Sequence, residues 1–166
     1  EIPPEIGNLT NLTDLRLDNN QLTGEIPSSI GNFFNLNTLY FNDNNLTGYI
    51  PPEIGNLHNL VTLDLGDNQL SGEIPIEIGN LENIIEIYLN NNQFIGQVPY
   101  EIGELNNLIL LDLSNNYIDF LYENICQVPF WYFDVRNNYL CEEYYYDCIS
   151  LWDPQVCIEC PTFGDI

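Results

Sequence analysis

The chain has 166 residues and sets 25 Asp and Glu against 2 Lys and Arg, a formal net charge of -23. Such a field repels phosphate backbones and anionic lipid surfaces, which excludes nucleic acid and membrane surfaces as natural partners and leaves cationic or neutral ones. No apolar run approaches the length of about 18 residues that a membrane-spanning helix needs, and four of the 5 cysteines follow residue 140, the mark of a disulfide-stapled end in an oxidising compartment.

The chain opens on "EIPPEIGN", without a Met, a basic region or a signal peptide, and is expected to start in mid-repeat. Its turn glycines Gly24, Gly48, Gly72 and Gly96 recur every 24 residues, a period that predicts a solenoid in which each unit buries its apolar face against its neighbours. In the phase "LxxLxxLxLxxNxLxGxIPxxIGN" units begin at Leu9, Phe33, Leu57, Leu81 and Leu105, after a half unit and before a degenerate one reaching Leu140.

Within a unit the elements come in a fixed order. In "LTDLRLDNN", Leu15 and Leu17 alternate with Asp14, Arg16 and Asp18, a period of two that predicts one short strand per unit with one buried face. Stacked in register, the strands predict a parallel sheet at roughly 4.8 Å per unit. The asparagine closing each strand recurs as Asn20, Asn44, Asn68, Asn92, Asn116 and Asn138, side chains able to donate and accept at once and expected to form a structural ladder. Next, "LTGEIP" supplies a glycine for an unusual turn and a proline that denies the following segment a backbone donor, so a 3₁₀ or extended return is expected rather than a long helix.

The recurring Leu22, Gly24, Ile26, Pro27, Ile30, Gly31 and Asn32 resemble the plant-specific type of leucine-rich repeat, over about residues 1 to 140. The resemblance implies an α/β-type repeat solenoid: a right-handed superhelix with a concave parallel β-sheet as the usual binding face and a 3₁₀ or extended convex side. The pattern breaks in the fifth unit, where "YIDFLYENICQ" replaces the consensus and the next unit starts about two residues early. The last strand, in "FWYFDVRNNYL", crowds aromatic rings suited to closing the open end of the stack.

Cys141 and Cys148 follow the last Leu directly, and the segment looks like the disulfide-bonded C-terminal cap of extracellular leucine-rich-repeat proteins; that resemblance makes Cys141–Cys148 the first pairing. An odd cysteine count leaves one thiol over, and Cys126, at a repeat position expected to face inward, is the candidate. The closing "CIEC" lacks the further ligands of a zinc site, so no metal and no cofactor are expected. The final "CPTFGDI" weakly resembles the junction before a dockerin-like calcium module of secreted bacterial proteins. The expected organisation is therefore repeats over 1–140, a cap over 141–160 and the start of a linker or further module over 161–166.

Catalytic chemistry finds little support. The single histidine, His58, sits in a linker. Asp64 and Asp112 share a strand column roughly 9.6 Å apart, the separation of an inverting glycosidase pair, but on an open sheet expected to leave both acids solvated. No enzyme is expected. The column Arg16, Tyr40, Asp64, Tyr88, Asp112 and Asp134, with its neighbours Asp14, Thr62, Glu86 and Tyr132, reads better as a recognition surface, because tyrosines give rigid amphipathic contact and carboxylates directional acceptors. The expectation is an extracellular or cell-surface module binding a protein, peptide or glycan of basic or hydroxyl-rich character. Alternatives are the ectodomain of a receptor-like kinase, an inhibitor of extracellular polysaccharide-degrading enzymes, or a surface for ice or mineral suggested by the repeated Asn and Thr. Asn8, Asn11 and Asn45 open glycosylation sequons.

Overall fold

The computed structural model describes residues 1–141 and 146–152. Each complete repeat lays down two strands: β1 (Asp14–Arg16) and β2 (Thr23–Gly24), β3 (Thr38–Tyr40) and β4 (Asn45–Leu46), β5 (Thr62–Asp64) and β6 (Ser71–Gly72), β7 (Glu86–Tyr88) and β8 (Gln93–Gln97), β9 (Leu110–Asp112) and β10 (Tyr117–Phe120), followed by β11 (Tyr132–Asp134). The odd-numbered strands form one six-stranded parallel sheet in the order β1-β3-β5-β7-β9-β11. The expectation of one strand per unit is corrected here: the stretch after the ladder asparagine pairs in parallel as well, in a two-stranded sheet β2-β4 and a three-stranded sheet β10-β8-β6. Once the first strands stack in register, the extended residues beyond the asparagine are held at strand spacing too, so their N–H and C=O groups meet.

Two kinds of turn shape the coil. The residue before each ladder asparagine is left-handed, with φ between 52 and 57 at Asn19, Asp43, Asp67, Asn91, Asn115 and Asn137, a conformation that Asn and Asp tolerate better than other side chains. A second left-handed turn follows at Gly24, Gly48, Gly72 and Gly96. In the fifth repeat Phe120 stands where that glycine would be, and the β8–β10 pairing shifts register between Ile118 and Phe120 instead. The return path is a series of five-residue 3₁₀ turns, Pro4–Asn8, Ser28–Asn32, Pro52–Asn56, Ile76–Asn80, Tyr100–Glu104 and Glu123–Gln127. All but the last are entered from a proline, whose fixed φ sets the approach.

Strand residues Leu39, Leu63, Ile87, Leu111 and Phe133 and turn residues Ile30, Ile54, Ile78, Ile102 and Ile125 converge on one continuous core in which nearly every member is inaccessible to solvent. The turns stack so closely that the glycine of each "IGN" is obligatory: a Cβ on Gly31 would lie 2.7 Å from both Cβ and the carbonyl oxygen of Glu53 in the next turn.

This close stacking explains the end of the array. The last 3₁₀ turn places Ile125 inward and Cys126 at the position of Gly103 in the preceding turn, exposed. Among the described residues no further 3₁₀ turn packs against it, so a side chain is allowed, and Cys126 is disulfide-bonded to Cys148 of the cap, 22 residues on. Two expectations are thereby corrected. Cys126 is neither inward-facing nor a spare thiol, because the fifth unit is one residue short before this turn, and Cys148 pairs with it rather than with Cys141, which is engaged in a disulfide of its own. The cap also pairs with the sheet edge: the N–H groups of Ser150 and Leu151 donate to the Phe133 carbonyl, and Val135 N–H donates to that of Leu151. An edge strand that would otherwise offer unpaired groups is thus covered. The "CIEC" pair and the "CPTFGDI" stretch lie outside the described residues, as does most of the 141–160 segment.

Candidate binding face

Sheet register decides which side chains become neighbours. Arg16, Tyr40, Asp64, Tyr88, Asp112 and Asp134 are successive partners across the six strands, and Asp14, Thr38, Thr62, Glu86, Leu110 and Tyr132 form the column beside them. Both columns alternate with the buried Leu15, Leu39, Leu63, Ile87, Leu111 and Phe133, so they project from the opposite side of the sheet.

The two ends of the main column are closed from within. At one end Arg16 lies over the Tyr40 ring, its guanidinium carbon 4.4 Å from the centroid. At the other end Arg136 grips Asp134: Nε donates to both carboxylate oxygens at 3.0 Å and Nη2 to Oδ2 at 2.6 Å. The Tyr132 hydroxyl donates to the same Oδ2, and burial together with this bond pushes its phenol up to about 12. Asp134 is 0% exposed. Read from the sequence as part of the binding face, it belongs to the column and faces its own arginine, two residues along the chain. Thr62 is likewise buried, beneath a contact to Glu86, whereas Asp14 stays exposed, and hydrogen bonds from the Thr38 and Thr13 hydroxyls lower its pKa.

Between the two arginines Asp64, Tyr88 and Asp112 remain open and half-buried. Asp64 accepts from Gly66 N–H through Oδ1, and Asp112 accepts from the N–H and hydroxyl of Ser114, also through Oδ1. Burial raises Asp64 to about 6, against the Gly66 bond that lowers it, with Asp43, Asp67 and Asp18 adding repulsion. Burial raises Asp112 too. The expectation that an open sheet would leave these acids solvated fails: both are half-buried, and burial is the first cause of each raised pKa. Burial also raises the phenol of Tyr88, flanked by Glu86 and Asp64. His58 is exposed in a turn, away from this group, with Nδ1 near the Asn80 carbonyl.

The ladder asparagines make the platform rigid. Asn116 Nδ2 donates to the carbonyls of Leu113 and Ser114 in its own turn and to Leu89 one repeat back, while its Oδ1 accepts from Phe94 N–H. Asn44, Asn68, Asn92 and Asn138 repeat this arrangement; Asn20, exposed in the first unit, bonds only within its own turn. A second ladder went unread: Asn35, Asn59, Asn83 and Asn107 each donate to the carbonyl 25 residues earlier. Its signal was present as an asparagine at a constant position, 24 residues apart, ahead of β1, β3, β5, β7 and β9. Also unread was the strip Val61, Ile85, Ile109 and Trp131 along the edge where the strands begin, which ends on an indole 79% exposed.

Among the described residues no group of three or more His, Cys, Asp or Glu is placed to hold a metal ion, and no helix is long and apolar enough to cross a membrane.

The leucine rich repeat family matches residues 10–70 and again 83–105. In structure the chain is similar to the ectodomain of the Arabidopsis thaliana membrane receptor kinase GASSHO1/SCHENGEN3, solved in complex with CASPARIAN STRIP INTEGRITY FACTOR 2: 41% identity over 84% of this chain and 17% of that one, TM-score 0.82. It is similar to the ectodomain of the Arabidopsis receptor kinase HAESA in complex with an extended IDA peptide hormone, at 34% identity over 83% of this chain and 23% of that one, TM-score 0.80. The Arabidopsis BIR2 ectodomain matches at 30% identity over 82% of this chain and 71% of its own length, TM-score 0.72. No curated protein matches. The chain belongs to the leucine-rich-repeat family, and its relatives in structure are extracellular domains of plant receptors. It spans about a fifth of the length of the first two, and nothing in these comparisons supports a dockerin-like neighbour.

Proposed function

We propose that the chain is a non-enzymatic, extracellular recognition module that binds a peptide or an extended protein segment across its six-stranded sheet. The observation that carries this reading is the open stretch Asp64–Tyr88–Asp112, in which two half-buried carboxylates flank a tyrosine on a sheet locked by asparagine ladders. Such a face offers aromatic contact area and charged acceptors with little conformational entropy to lose on binding. The ligand expected is basic, because the charge balance favours cations everywhere outside the two arginines. The HAESA neighbour, named as a complex with a peptide hormone, supports a peptide over a glycan. The same likeness favours a receptor ectodomain over an inhibitor of polysaccharide-degrading enzymes.

The test is a double substitution, Tyr40→Ala with Tyr88→Ala, assayed against a library of secreted peptides. A ligand selected on the wild-type chain should lose at least about tenfold in affinity, the loss of one well-packed aromatic anchor, while far-UV circular dichroism stays the same. A ligand indifferent to both tyrosines would place the site elsewhere.

A further inference from the structure

Both basic side chains of this protein are drawn to the column of Tyr40, Asp64, Tyr88, Asp112 and Asp134. Arg16 stacks on Tyr40, and Arg136 holds Asp134 with a forked pair of hydrogen bonds. Asp64 and Asp112 are in the same register, each bonded to the backbone through Oδ1, and among the described residues neither forms an ion pair, Arg136 reaching Asp112 only as a longer-range attraction. The Arg136–Asp134 pair therefore shows, within the molecule, what the open positions would accept.

Spacing narrows the partner further. Asp64 and Asp112 are separated by two strand intervals, roughly 9.6 Å. A ligand lying across the strands must present cations at that interval on one face. A β-extended chain advances about 3.3 Å per residue and alternates faces, so its same-face positions fall at about 6.6 or 13 Å. A polyproline II segment has three residues per turn and a rise of 3.1 Å, so its positions i and i+3 share a face about 9.3 Å apart. Tyr88, midway between the acids, then meets the two intervening residues, and an aromatic ring is the usual platform for proline in this conformation.

We propose that the occupant of this face is a polyproline II segment carrying arginine at positions i and i+3, one guanidinium on Asp64, the other on Asp112, with the residues between them packed on Tyr88. This rests on the reading of the sheet as the binding face and adds the ligand's conformation and charge spacing. Arginine is preferred over lysine because its planar fork matches a carboxylate that keeps one oxygen engaged with the backbone, as Asp134 already illustrates.

The experiment uses three fluorescein-labelled peptides of identical composition, two arginines among six prolines, with the arginines spaced i,i+2, i,i+3 or i,i+4, titrated by fluorescence anisotropy onto the 166-residue chain at physiological salt. The i,i+3 isomer should bind about tenfold more tightly than the others. Asp64→Asn or Asp112→Asn should bring it down to their level while changing the others little. Equal affinity for the three isomers, or no binding by any, overturns the inference. If equal affinities still fall in Tyr88→Ala, the sheet face remains the binding site and only the spacing is wrong; if they ignore Tyr40, Tyr88, Asp64 and Asp112 alike, the reading of the face fails as well. Because the isomers are compared on the wild-type chain, misfolding of a variant cannot mimic the result.

Discussion

Asp64 shows how a single residue pays a folding penalty that a ligand can recover. Its carboxyl is raised from 3.8 to about 6, first by burial, with Asp43, Asp67 and Asp18 adding repulsion and Gly66 N–H opposing them; Tyr40 and Tyr88 face it from the adjoining strands, and Asp112 stands one strand beyond Tyr88. An acid with a higher pKa folded than unfolded retains its proton in the fold while the unfolded chain has lost it, so stability falls as pH rises from 3.8 through about 6. Asp64→Asn removes that cost and keeps an acceptor for Gly66. Its melting temperature should equal that of the wild type below the unfolded pKa and exceed it at pH 7; melting curves of both proteins across that range check the prediction, and a lower melting temperature for the variant at pH 7 would refute it. Cation binding should follow the opposite course, weakening as acidification protonates Asp64.

At the scale of elements, what matters is how one repeat holds the next. The strands are three residues long in the main sheet and share few hydrogen bonds per pair, so the asparagine ladders supply a large part of the linkage between units. Asn116 is 3% exposed and satisfies four backbone groups across two repeats. Asn116→Ala leaves Phe94 N–H and the Leu89, Leu113 and Ser114 carbonyls short of a partner, at about 1–3 kcal/mol for each group left unsatisfied. Asn20→Ala, at an exposed site with bonds only to Leu17 and Asp18, should cost no more than about 1 kcal/mol. Urea unfolding of the two variants side by side measures the contrast, and equal midpoints would show that the ladder is not structural. The same element-level logic governs the glycines of the 3₁₀ turns: they are required where a further turn stacks, and the position is released to Cys126 where the stack ends.

The whole molecule is an acidic rod, and self-repulsion from a net charge of -23 opposes its folding. Salt shortens the Debye length from about 30 Å at 0.01 M to about 3 Å at 1 M, so the melting temperature should rise over this range. Differential scanning calorimetry at a series of sodium chloride concentrations tests it, a flat response indicating that the charges are too far apart along the solenoid to interact. The same field steers cationic ligands inward, and its two exceptions, Arg16 and Arg136, stand at the ends of the column they leave open.

The 24-residue period sufficed to determine the solenoid, the parallel pairing and the side-chain columns, because in a repeat every unit meets the same neighbours and register follows from spacing alone. Even the unread Asn35 ladder was present there as a pattern. Where periodicity fails, the sequence stops being a guide. The pairing of Cys126 with Cys148 depended on a one-residue shortening that moved Cys126 onto the glycine position, a shift visible only once the last turn had been placed in space. The division of one column into closed ends and an open middle turned on where two long arginine side chains fold back, a choice set by local desolvation and hydrogen-bond geometry rather than by the repeat. Length and spacing are encoded along the chain; which charges are left free for a partner was decided only when the strands came together.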